Sequence, residues 1–117
     1  MEYVFGLCRG RHEIPSVEVY LFPHEVDPTN VDALRKRAWE GIPKDASKVT
    51  VYVTGLTVAM MAVVQVCFAR QIALTAMHYN RETEDFYPQE ILEYQMCGFC
   101  HKPMSLYDLA CPHCGAT

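Results

Sequence analysis

Apolar positions recur along this chain with two periods that take turns. "SVEVYLF", Ser16 to Phe22, alternates and is rich in β-branched residues, which predicts a strand ended by Pro23. In "DPTNVDALRKRAWEGIP" the spacing changes to three and four. Val31, Leu34, Ala38 and Trp39 fall on one stripe of a helix that Thr29 or Asn30 can cap and that Gly41 and Pro43 stop. Alternation returns from Lys48 to Thr54 and breaks at Gly55. A helix is predicted from Thr57 to Arg70, and "IALTAMHY" reads as the next strand.

The order β, α, β, α, β predicts a minimal Rossmann-like α/β fold, a small parallel sheet with right-handed crossovers. That domain is expected over residues 1–92, with a zinc ribbon over 93–117. "YNRETEDFYPQEI" reads as a charged turn leading to a short edge strand near Phe86 to Ile91. Tyr3 to Cys8 is apolar enough for one more strand, whose pairing the sequence leaves open.

The helix from Thr57 to Arg70 has only Thr57, Gln65 and Arg70 as polar residues, so a sheet beneath it covers one face and the others need cover as well. The first helix or the cysteine-rich tail would serve. So would a second copy of the chain, and a homodimer is the expectation. The longer apolar run from Val49 to Met77 is not read as a membrane span, because Gly55 breaks it and Gln65, Arg70 and Gln71 interrupt it.

Four of the six cysteines form two Cys-x-x-Cys pairs, Cys97/Cys100 and Cys111/Cys114. Each pair delivers two thiolates from one tight turn, and two pairs complete the tetrahedron that Zn2+ prefers. Gly98 in the first turn, and Pro112 and Gly115 around the second, are expected to supply the turn chemistry. "CGFCH" also matches a haem-attachment pattern, but that leaves the second pair without a role, and a redox pair would not be duplicated in a tail. His101 and His113 are read as surface residues, since four thiolates already saturate the metal. A closed four-thiolate site has no open position for substrate, so Zn2+ is expected to be structural.

Composition narrows the function classes. Of 117 residues, half are hydrophobic and 21% are charged, as in a folded domain. The formal net charge of −4 argues against a coat of bulk nucleic acid, so any anion site must be local. "MEYVFGLCRG" does not read as a secretory leader, which makes a reducing, cytoplasmic setting the expectation. Beyond its cysteines the tail from Cys97 onward carries only Lys102 and Asp108 as charges, few for gripping phosphates, so it is expected to pack on the body or on a protein partner.

Ligands of open parallel sheets bind beyond the carboxyl ends of the strands. Those ends carry Pro23, His24 and Glu25, then Thr54, Gly55, Leu56 and Thr57, then His78, Tyr79, Asn80, Arg81 and Glu82. Gly55 lets backbone approach a ligand, the helix start at Thr57 favours an anion, and Arg81 adds charge. His24 or His78 would act as acid or base. "CRGRHE", Cys8 to Glu13, is a second positive cluster that lines the same edge if the first strand joins the sheet. Each feature also has a plainer reading: a tight turn at Thr54–Gly55, loop or strand-end histidines, and a solvated hairpin at Arg81. No Ser-His-Asp order, phosphate-loop lysine motif or di-carboxylate metal pair is present.

With "YVTGLTVA" at the strand-to-helix junction and "MHYNRET" after the next strand, residues 16 to 91 resemble the compact CRISPR-associated Rossmann-like proteins of antiviral defence, the class that includes sensors and ring nucleases for cyclic oligoadenylates. The zinc tail departs from the simplest members. The resemblance implies a dimer whose twofold axis crosses a nucleotide site. On the strand-end reading, Thr54, Gly55, Thr57, Asn80 and Arg81 are the expected ligand-binding residues, with metal-independent phosphodiester cleavage by His24 or His78 and Arg81 as the catalytic option. The competing class is a non-catalytic interaction module whose ribbon docks a protein.

Overall fold

The computed structural model describes residues 1–8, 17–22, 27–54, 57–105 and 108–115. In chain order these form β1 (Glu2–Cys8), β2 (Tyr20–Phe22), α1 (Val31–Gly41), β3 (Lys48–Tyr52), α2 (Thr57–Arg70), β4 (Ala73–Asn80), β5 (Asp85–Leu92), β6 (Tyr94–Met96) and β7 (Pro103–Ser105). The first five strands make one sheet in the order β2-β1-β3-β4-β5, and β6 pairs with β7 apart from it. Strands β2, β1, β3 and β4 run parallel, while β5 returns antiparallel to β4.

The fold is therefore mixed α/β, and the simple βαβαβ expectation is corrected at both ends. Tyr3 to Cys8 takes a central place because its middle is apolar and small enough to be buried on both faces: Phe5, Gly6 and Leu7 are all buried. A Cβ on Gly6 would collide with the ring of Tyr20, its register partner on β2, so this strand position accepts no side chain. Asp85 to Leu92 follows a turn of only four residues, too short for a parallel crossover, and so closes a hairpin. The strand expected from Ser16 is shorter, pairing only over Tyr20–Phe22.

The passages from β2 to β3 and from β3 to β4 move across the sheet in the same direction, so right-handed crossovers place α1 and α2 on one face. The two helices pack on each other there. Phe5, Leu7, Leu21, Val49, Val51, Leu74 and Ala76 meet Leu34 and Ala38 of α1 and Ala59, Met60, Val63, Val66 and Cys67 of α2 in a single core. Each large side chain buried there contributes about 1.5–3 kcal/mol.

The sheet and α1 supply most of the cover that α2 requires. Val63 is wholly buried within the chain, and the large apolar residues left exposed on α2 are Met61 and Phe68. At the start of α1, Asn30 is the cap, its Oδ1 accepting from the N–H of Ala33, while Thr29 bonds to Asp27 instead. Trp39, placed by its spacing on the apolar stripe, is 47% exposed and lies outside the core.

Strand β4 pairs with β3 only as far as Met77, then continues to Asn80 against β5 alone. The β4–β5 hairpin consequently overhangs the carboxyl edge of the sheet by about 10 Å at ~3.3 Å per residue. Among the described residues, no helix is long and apolar enough to cross a membrane.

Candidate metal centre and strand-end site

The β6–β7 hairpin turns through the first cysteine pair. The Cys97 N–H bonds to the Lys102 carbonyl at 2.9 Å, which extends the ladder into the knuckle. The second pair folds back on the first and is tied to β7 twice over. His113 Nε2 lies 3.1 Å from the Pro103 carbonyl, a contact that requires the proton on Nε2, and Asp108 accepts from the Ser105 N–H at 2.9 Å.

This brings all four sulfurs within 4.8 Å of one another. Cys97 and Cys114 are 3.7 Å apart, and Cys100 and Cys111 are 3.5 Å apart. Those separations exclude disulfides, whose sulfurs sit at ~2.05 Å. A tetrahedron of thiolates at ~2.3 Å from Zn2+ has edges of about 3.8 Å, so the donor set fits this metal in number, chemistry and span.

The knuckles repeat each other. Phe99 donates its N–H to Cys97 Sγ and His113 donates its N–H to Cys111 Sγ, each at 3.4 Å and each two residues along. Backbone N–H groups of Cys100 and Phe99 pull the Cys97 thiol down to about 6. Burial acts against ionisation at Cys111, but the N–H groups of Cys114 and His113 hold that thiol below its ordinary value as well. At Cys100 the Lys102 N–H acts in the same direction, but burial and the neighbouring cysteines push that thiol up to about 11, so the four sulfurs crowd protons that a bound cation would replace.

Gly98 is not the residue that makes the first turn possible. The left-handed conformation falls one residue beyond each pair, at His101 (φ 60°) and Gly115 (φ 77°). Sequence reasoning credited Gly115 with turn chemistry and missed its counterpart at His101; the symmetry of the two pairs is the signal that would have found it. His101 and His113 are both exposed, and neither belongs to the metal cluster.

The strand-end residues are brought together only in part. Thr54 lies between the ends of β1 and β3, its hydroxyl donating to the Cys8 carbonyl at 2.6 Å and accepting from the Cys8 N–H at 3.1 Å. That hydroxyl ties two strand ends together. Thr57 is exposed at the start of α2. His78 Nε2 lies 2.8 Å from Gln89 Oε1, with the Tyr87 ring alongside, so this imidazole is oriented from β5. Asn80 Oδ1 accepts from the Glu82 N–H and shapes the turn that carries exposed Arg81. His24 and Gly55 lie outside the described residues, as do Arg9, Arg11 and His12 of the second basic cluster.

The strand order adds a feature that sequence reading missed. β1 leads to a partner on one side and β3 to a partner on the other, so the connections diverge between two adjacent parallel strands. Open α/β sheets form a ligand crevice at such a point. Here its described floor is Cys8 and Thr54. The hairpin that carries the four cysteines lies at the opposite edge, where Tyr94 and Pro103 share a cavity with Ser47, Lys48 and Ala73 at the amino ends of β3 and β4. No family model, no curated protein and no solved structure matches this chain.

Proposed function

We propose that this protein is a ligand-binding α/β module with a structural Zn2+. Its site is the carboxyl edge between β1 and β3, and its ligand is a small phosphate-bearing molecule of the cyclic-oligonucleotide kind. The observation that carries the reading is the divergence of connections at Cys8 and Thr54, strand ends joined by two hydrogen bonds. Around it lie the start of α2, an end of the helix dipole that favours anions, and a hairpin that overhangs the same edge and carries Arg81. Thr54 spends its hydroxyl on Cys8, so its part in the site is to hold the two strand ends together. If the ligand is cut, His78, steered by Gln89, is the described acid or base for the step.

The Zn2+ belongs to the support. Cys97, Cys100, Cys111 and Cys114 would hold it and fold the tail around it, because site formation and local folding are one equilibrium. A specific observation favours a second reading, an interaction module. Phe99 is 75% exposed and Leu109 is 96% exposed on the ribbon, apolar side chains presented by a rigid scaffold.

A thermal-shift panel of cyclic and linear nucleotides separates the two. The first reading expects stabilisation of ~2.7 kcal/mol at a hundredfold excess over the dissociation constant. It also expects most of this to vanish in Arg81→Ala with unliganded stability unchanged. No shift across the panel hands the protein to the interaction reading.

A further inference from the structure

At the edge remote from Cys8 and Thr54, a groove of about 580 Å3 separates the end of α2 from the ribbon. That size lies within the ~300–1,000 Å3 of ordinary ligand pockets. Phe68, Ile91, Leu92 and Tyr94 give it apolar surface, and Phe68 is 67% exposed although it stands one residue from the core residue Cys67. Glu93 and Asp108 supply its charge, and no lysine or arginine is among its described lining. Asp108 commits one carboxylate oxygen to the Ser105 N–H, which fixes where its negative charge sits. One wall is a helix end anchored in the core, and the other is held by the four cysteines.

We propose that this groove docks a short peptide segment of a partner protein, with apolar anchor residues flanked by lysine or arginine. The anchors would bury against Phe68, Leu92 and Tyr94, and the basic residues would meet Glu93 and Asp108, groups that repel an acidic segment or a nucleic-acid backbone. Charge complementarity selects this occupant. The inference stands apart from the strand-end ligand, because the two sites lie at opposite edges of the sheet.

The test uses the zinc-loaded full chain and a fluorescent peptide of Leu, Phe and Lys, with two controls: Lys replaced by Glu, and Leu and Phe replaced by Ser. Anisotropy is expected to show binding of the first peptide alone. Affinity should fall at least about tenfold in Phe68→Ser and in Glu93→Lys, and should be unchanged in Glu82→Lys, which alters net charge equally at the distant hairpin. Ala69→Arg, at another exposed position of the groove, provides the same loss should Phe68→Ser fail to fold. Absence of binding, equal binding of the glutamate peptide, or equal loss in Glu82→Lys overturns the proposal. So does a wild-type dimer in light scattering that Phe68→Ser converts to monomer, since the groove's occupant would then be a second copy.

Discussion

The guanidinium of Arg70 lies 4.0 Å from the centre of the Trp39 ring and donates to the carbonyl of that same residue at 2.6 Å. A third contact runs to the Ile42 carbonyl at 2.8 Å. Helix α1 has no basic residue in its own last turn, so the end of α2 caps it from outside. Charged hydrogen bonds of ~1.5–3 kcal/mol and a cation–π contact of ~0.5–1 kcal/mol point to a loss of about 2–3 kcal/mol for Arg70→Ala. Urea denaturation checks it, and Arg70→Lys should recover only part, because an ammonium cannot span both carbonyls and the ring.

Charge placed on α2 should act by position. Val63→Asp sets an unpaired carboxylate among Leu34, Ala38 and the sheet and is expected to abolish folding or cost more than ~4 kcal/mol. Met61→Lys, at a position half exposed, should stay within about 0.5 kcal/mol of wild type. Light scattering on Met61→Lys then tests the homodimer without unfolding the chain: a dimer built on the outer stripe of α2 would dissociate.

Much of this was legible in the sequence. The helix from Thr57 to Arg70 has its expected bounds because β3 ends and β4 begins with clear changes of period. The cysteine cluster was legible because two Cys-x-x-Cys pairs at such spacing have few other uses. Strand order was not, since β1 reaches β2 and β3 through backbone hydrogen bonds that leave no mark on side-chain pattern. Gly6 in mid-strand was the available clue. Trp39 misled because helical period gives direction without depth: its ring lies outside the core, under a cation from another helix.

Burial pushes the Cys67 thiol up to about 12, with Arg70 opposing only in part. Its folded value is raised, so its share of stability is intact below the unfolded value near 9 and is lost as pH rises toward 12. Between those limits the unfolded chain releases a proton that the folded chain retains. Relative to Cys67→Ala, wild type should lose stability above pH 9, by at most ~1.4 kcal/mol per pH unit. Denaturant titrations at pH 8 and pH 10 measure the difference.

The left-handed residues after each cysteine pair predict opposite responses. His101→Gly relieves a conformation costing ~1–2 kcal/mol for a residue with a Cβ and should raise the thermal stability of the zinc-loaded tail. Gly115→Ala introduces that cost and should lower it. Chelator competition on the same proteins reports whether metal retention follows.

Two-dimensional amide NMR during titration with cyclic and linear nucleotides tests the strand-end site most directly, because Cys8 reports on it through an N–H bonded to Thr54 Oγ1 at 3.1 Å. A binding nucleotide is expected to shift the amides of Cys8, Thr54 and Thr57 while those of Cys97, Cys100, Cys111 and Cys114 stay in place. Shifts confined to the ribbon, or none at Cys8 and Thr54 with any nucleotide, would contradict the strand-end site.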